Sequence, residues 1–314
     1  MKYDLFYGSK GGGRIHGCRW EPDTKPRAVV QIVHGIAEHI ERFESLVRDL
    51  NKEGFVVVAE DHMGHGRSIG EECPQGYFKG GWFAAVEDTR TLMRYTMNKY
   101  PALPYVLLGI SMGSFMVRTI LAKYPDSGIS GAVLCGTAWQ DKALLLTGRT
   151  ACNMVCRLSG EKTPSEMLQK LLFGGYNKGI ERASSPNAWL CSESDVVRAY
   201  DEDPLCGFPA TAGLYRDMME GLVYVQDPAH LAAMNKQLPV LFVAGDRDPV
   251  GNYGKGVEAC AQAFQDAGME QVTVKLYPGD RHDVLNEQDR EVVRADLIDW
   301  IELSASPIMY DLMD

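Results

Sequence analysis

Apolar residues along this chain gather into six short runs, at 28–33, 55–59, 105–110, 129–135, 239–244 and 272–276. Each run has strand length, is rich in Val, Leu and Ile, and is nearly continuous rather than alternating. That pattern predicts strands covered on both faces. Between most of them, apolar residues recur at helical spacing. Residues 42–53 put Phe43, Leu46, Val47 and Leu50 on one face, and residues 82–99 do the same with Phe83, Val86, Leu92 and Met93. Residues 114–124, 253–267 and 289–303 read as helices too. Alternation of strand and helix predicts the α/β class, a mainly parallel central sheet with helices on both faces.

One connection breaks the alternation. The strand ending near Thr137 and the next, starting near Leu238, lie about 100 residues apart, far beyond an ordinary crossover. The expected organisation is a core made of 1–137 and 238–314, with 138–237 inserted as a helical cap. The insertion is rich in Leu and Met, with helical pieces at 143–157 and 165–172. Residues 307–314 read as a tail.

Charge and cysteine usage narrow the field. A net charge of −10 argues against nucleic acid as a partner, because binding phosphates takes clustered Lys and Arg. The first residues lack the apolar core of a signal peptide, and no apolar run is long enough to span a bilayer. Eight scattered cysteines, with Cys135 inside an apolar run, suit reduced thiols in a cytoplasmic protein. Cys152 and Cys156 share a helix face but lack the partners of a zinc knuckle. His34, His39, His62, His65 and Asp61 fall in two loops and read as makers of loop hydrogen bonds, not as a metal site. No metal or cofactor is assigned.

The chemistry centres on residues 104–113, Pro-Tyr-Val-Leu-Leu-Gly-Ile-Ser-Met-Gly. An apolar strand runs into Gly109-x-Ser111-x-Gly113 and then into a helix. Glycines on both sides permit a sharp turn and close packing of helix on strand, which pushes the Ser111 hydroxyl out at the sheet edge. A serine hydroxyl needs a base, and the base an orienting carboxylate. Those residues are sought in loops after later strands, which converge on the same edge. Gly245-Asp246-Arg247-Asp248 follows one strand and Gly279-Asp280-Arg281-His282 follows the next. His282 is the base; Asp246, Asp248 and Asp280 compete as the acid.

In combination these motifs resemble the α/β-hydrolases of the monoacylglycerol lipase and lysophospholipase group, related to the serine aminopeptidases. His34-Gly35-Ile36-Ala37-Glu38-His39 is similar to that group's His-Gly-x-x-Glu-His loop. Residues 61–68 resemble its Asp-x-x-Gly-x-Gly-x-Ser loop, and Gly245-x-x-Asp248 and Gly279-x-x-His282 its acid and base loops. The resemblance implies an α/β-hydrolase fold with Ser111 as nucleophile, His282 as base and Asp248 as acid. It places the oxyanion hole at the backbone N–H groups of Ile36 and Met112. It also implies hydrolysis of a monoacylglycerol, lysophospholipid or similar acyl ester through an acyl-enzyme. A small-ester carboxylesterase, a thioesterase or an aminopeptidase on the same scaffold is the alternative, and a non-catalytic binding protein a more distant one. An aminopeptidase would need an acidic group in the cap, from Glu161, Glu166, Glu181, Glu193, Asp201 or Asp203. Leu144–Leu146, Met154, Leu171 and Leu172 form either the insertion's own core or a transient contact with lipid. Residues 143–154 are expected to line the acyl channel or touch the lipid surface, with Leu145 and Leu146 exposed. Oligomeric state is left open.

Overall fold

A computed structural model of the protein describes residues 1–181 and 183–305. The tail expected at 307–314 lies outside the described residues. Chain order begins with β1 (Lys2–Gly8), β2 (Arg14–Trp20), β3 (Ala28–Val33), α1 (Glu44–Lys52), β4 (Phe55–Asp61) and α2 (Gly81–Lys99). Next come β5 (Tyr105–Ile110), α3 (Met112–Lys123) and β6 (Gly131–Cys135). Then follow α4 (Lys142–Ser159), α5 (Glu166–Phe173), α6 (Ser194–Glu202), α7 (Ala212–Val225) and α8 (Pro228–Ala233). The chain returns to the sheet with β7 (Val240–Gly245), α9 (Lys255–Asp266), β8 (Val272–Tyr277) and α10 (Arg290–Ala305).

The strands form one sheet in the order β1-β2-β4-β3-β5-β6-β7-β8, parallel except where β2 pairs with β1 and with β4. Side chains alternate between its faces, as strand geometry requires. Val29, Val56, Leu107, Ala132 and Phe242 join the core on one side with residues of α2, α3 and α9. Val30, Val57, Val106, Val133 and Leu241 join the core on the other side with residues of α1 and α10. All six apolar runs are strands, and the predicted helices fall within a residue or two of those observed.

Two expectations need correcting. β1 and β2 were not foreseen: β1 alternates exposed and half-buried positions at an edge, and β2 buries polar residues, so neither shows a continuous apolar run. β8 is not covered on both faces. It is the opposite edge strand, with Thr273 and Val274 exposed. The α-helices α4 to α8 lie between β6 and β7. Of these, α7 packs on α2, α3 and α4, which places it against the core. Among the described residues no helix is long and apolar enough to cross a membrane.

Candidate active site

β5 ends at Ile110 and α3 starts at Met112, so Ser111 alone makes the turn, at φ 51° and ψ −120°. A non-glycine residue at positive φ stores strain that only a well-determined surround can hold. Here the Ser111 N–H donates to the Cys135 carbonyl at 2.9 Å, and its own carbonyl accepts from Ser114 N–H at 2.9 Å. Gly113 is required by packing: a Cβ there would lie 1.9 Å from the Val33 carbonyl oxygen. Met112 N–H opens a helix and so has no partner within it.

The loop after β3 runs beside Ser111. A Cβ on Gly35 would meet the Ser111 Cβ at 3.1 Å. Gly35 N–H donates to Glu38 Oε1 at 2.5 Å, and Ile36 lines the cavity over Ser111. Glu38 forms an ion pair with Arg42, whose Nη2 donates to Asp283 Oδ2 at 2.9 Å. This chain of charges ties the loop to the residue following His282. The motif names Glu38 but gives no hint of Arg42 and Asp283. Their signals were an i,i+4 acid–base spacing and a carboxylate next to the base.

His282 stands on the loop after β8, with Nδ1 2.9 Å from Asp248 Oδ2. The other Asp248 oxygen accepts from Val250 N–H at 2.8 Å. Both residues are buried. Burial would depress the imidazole pKa, but the Asp248 carboxylate more than offsets it, and the net shift is upward. The rival acids are elsewhere: Asp246 Oδ1 accepts from Gly279 N–H at 2.8 Å, and Asp280 sits by Asp289, which together with burial pushes its pKa upward. Gly136, at φ 59°, passes under the imidazole where a Cβ would come within 2.9 Å of Cε1. The Trp189 ring flanks His282 with centroids 5.1 Å apart.

The loop histidines fill a different role. His34 Nε2 accepts from His62 N–H at 3.0 Å, while His62 Nε2 lies 3.1 Å from the His34 carbonyl and His65 Nδ1 2.9 Å from the Met63 carbonyl. Burial pushes the pKa of His62 and of His65 down to about 4, so both are neutral imidazoles shaping the loops. His39 pairs with Asp203 at 2.8 Å.

Ser111 and His282 open onto a cavity of about 420 Å³. Phe173, Trp189, Leu190, Phe208 and Tyr215 from the insertion line it, as do the charged Glu38, Arg42 and Asp283 from the core. Residues 143–154 do not line it; α5 does, through Glu166, Gln169, Lys170 and Phe173. Leu145 is not exposed as expected: α4 turns it inward against the core, at 3% exposure, and Leu146 is half-buried. The outward apolar residues are Leu144, Met154, Leu158, Met167 and Leu171. Of the six acids an aminopeptidase could use, Glu166 reaches the cavity, and it is an exposed partner of Lys170 at 3.7 Å. Glu161 is paired with Arg216 at 3.0 Å.

Known proteins bear on this arrangement. The family model described as serine aminopeptidase, S33 matches residues 24–289. A monoacylglycerol lipase of Mycolicibacterium smegmatis is 32% identical over 93% of this chain and 94% of its own. The human monoglyceride lipase is 27% identical over 93% of this chain and 87% of its own. The crystal structure of a thermostable carboxyl esterase from Bacillus coagulans, in complex with glycerol, superposes with a TM-score of 0.90 at 29% identity, covering 97% of this chain and 99% of that one.

Proposed function

Because this chain belongs to the serine aminopeptidase S33 family of α/β-hydrolases, we propose that it is a serine ester hydrolase of monoacylglycerols or closely similar acyl esters. The observation that carries the reading is the mixed lining of the cavity onto which Ser111 and His282 open. Its aromatic residues suit an acyl chain, and its charged residues, Glu38, Arg42 and Asp283, suit a hydroxylated leaving group. Of the six acids of the insertion the one that reaches the cavity, Glu166, is exposed and already paired, and Glu38 and Asp283 are both tied to Arg42, which disfavours an amine-binding peptidase.

In this reading Ser111 Oγ attacks the ester carbonyl while His282 Nε2 takes its proton. Asp248 holds the Nδ1–H tautomer and stabilises the imidazolium. Charge developing on the carbonyl oxygen meets the Ile36 and Met112 N–H groups, each such donor being worth ~3 kcal/mol in a transition state. Collapse breaks the acyl–oxygen bond, and His282 returns the proton to the leaving alcohol. Water, deprotonated by the same imidazole, then releases the carboxylic acid and restores Ser111. Residues 138–237 act as the cap, closing over the cavity with Phe173, Trp189, Phe208 and Tyr215. Leu144, Leu158 and Leu171, all exposed on that unit, make the transient contact with a lipid surface.

The test is a panel of steady-state rates on monoacylglycerols of graded chain length, lysophospholipids, p-nitrophenyl esters, a thioester and aminoacyl amides. Monoacylglycerols should give the highest kcat/KM. A maximum on p-nitrophenyl acetate would make the protein a small-ester carboxylesterase, and a maximum on an aminoacyl amide would overturn the ester reading.

A further inference from the structure

At the antiparallel edge of the sheet, far along the chain from the serine, three electron-rich atoms converge. Asp4 pairs with Cys18 across β1 and β2, and His16 stands two residues before Cys18, so all three side chains share one face. The Asp4 Oδ1 lies 3.1 Å from His16 Nε2 and 3.2 Å from Cys18 Sγ, and the sulfur lies 3.6 Å from Nε2. A tetrahedral zinc ion, with bonds of about 2.0 Å to nitrogen and oxygen and 2.3 Å to sulfur, sets its ligand atoms roughly 3.3–3.6 Å apart. The observed triangle therefore needs shifts of only a few tenths of an ångström.

The surroundings of His16 point the same way. Its Nδ1 lies 2.8 Å from Asp61 Oδ2, the carboxylate–imidazole arrangement that fixes the tautomer of a metal-bound histidine and raises its basicity. With the proton on Nδ1, the Nε2 lone pair faces the Asp4 carboxylate, and two such groups repel unless a proton or a cation lies between them. His16 and Cys18 are fully buried, whereas the Asp4 side chain is 43% exposed. An ion can enter past Asp4 and keep a water ligand on that side. The competing cations are the exposed Arg67, whose Nη1 lies 3.2 Å from the same Asp4 oxygen, and Lys2 near Cys18.

We propose that Asp4, His16 and Cys18 bind a zinc-class divalent ion, with water as the fourth ligand. Binding forms a metal–thiolate bond at Cys18 and releases the thiol proton to solvent, with no change of oxidation state. The site would be structural. Asp61, behind His16, also accepts from Ile40 N–H and from Arg67 N–H, each at 3.0 Å. An ion on His16 would thus brace the loop that carries Ile36.

The experiment is titration of the full-length protein with Co²⁺, followed by the near-ultraviolet thiolate-to-cobalt charge-transfer band and the tetrahedral visible bands. One equivalent should saturate them, and Zn²⁺ should displace the Co²⁺. Cys18→Ser should abolish the charge-transfer band. Asp4→Asn, at an exposed edge position and with its fold checked by circular dichroism, should weaken affinity at least tenfold. Cys206→Ser, which removes the thiol of a separate His39, Asp203 and Cys206 group, should leave the band unchanged. Absence of the band, its survival in Cys18→Ser, its loss in Cys206→Ser, or unchanged affinity in Asp4→Asn would overturn the assignment.

Discussion

Replacing Asp248 by Asn separates the acid's charge from its position. Asp248 Oδ1 is held by Val250 N–H at 2.8 Å, while Oδ2 receives His282 Nδ1 at 2.9 Å. An asparagine there keeps its carbonyl oxygen on Val250 N–H, because an amide NH₂ cannot accept that bond. Its NH₂ is then forced toward His282 Nδ1 and donates to it. The ring proton moves to Nε2, the nitrogen proposed to take the Ser111 proton, and a base there is blocked. In triads of this kind the loss is about 10⁴ in kcat, or about 5.4 kcal/mol of transition-state stabilisation. Asp246→Asn is the matched control. Its Oδ1 accepts from Gly279 N–H at 2.8 Å, a bond the amide oxygen keeps, and its 3.7 Å contact with Arg247 is exposed. A surface pair of that sort changes activity by less than about threefold. The assay is kcat/KM on a soluble p-nitrophenyl ester, with circular dichroism confirming both folds. A loss below tenfold in Asp248→Asn, or a larger loss in Asp246→Asn, would refute the reasoning.

Ser111→Ala should lose labelling by a fluorophosphonate probe, read by intact-protein mass, and at least about 10⁴ in turnover; labelling at wild-type stoichiometry moves the nucleophile elsewhere. Because Asp248 raises the His282 pKa, the imidazole becomes protonated and fails as a base as pH falls through a value above the ordinary ~6.5. The acid limb of kcat/KM should accordingly lie above that value, and a midpoint below pH ~6 contradicts it. Leu171→Asp, at a position 67% exposed, should keep Tm and activity on p-nitrophenyl acetate while losing activity on vesicle-borne monoacylglycerol. Leu145→Asp, at the buried α4 position, should instead lower stability by about 3 kcal/mol or more. Equal behaviour of the two variants removes the lipid-contact reading. Glu60 is buried, and burial holds its pKa up to about 8, whereas an unfolded glutamate ionises near ~4.3. Between those values the folded state binds more protons, so stability is full below the lower one and declines as pH rises toward the upper. Glu60→Gln should flatten that decline in urea titrations at pH ~5 and ~8, and an unchanged slope assigns it to another group.

The parallel part of the sheet was legible because strands covered on both faces must be apolar at every position, and such runs stand out against any background. The edges carry no such demand. β1 shows only a period-two pattern of partial exposure, and β2 hides His16, Cys18 and Arg19 behind partners that sequence cannot supply. β8 was found as a strand but its edge position was not, since an apolar run of Val272, Val274 and Leu276 reads the same in a central strand and in an edge strand that leaves Thr273 and Val274 exposed. The same limit governs the insertion. Its helical spacing predicted α4 and α5, yet spacing alone does not say which face of α4 meets α7, and Leu145, expected to be exposed, is buried while Leu144 faces out.

The site divides along the same line. Ser111, Asp248 and His282 lie in short turns marked by glycines: Gly113 is forced by the Val33 carbonyl, Gly245 by the Asp280 carbonyl, and Gly279 takes a φ of 89°. Such constraints leave a local signature, so spacing brought Ser111, His282 and three aspartates to one edge, and the resemblance chose Asp248 among them. The walls of the cavity leave none. Glu38 and Arg42 are spaced i,i+4, but Asp283 lies about 240 residues away in the chain, and nothing in the sequence brings it to the same guanidinium. A charge buried there is tolerable only with both partners present. Hence the triple of charges around Arg42 is legible only in three dimensions, while the residues proposed to break the bond are legible in one.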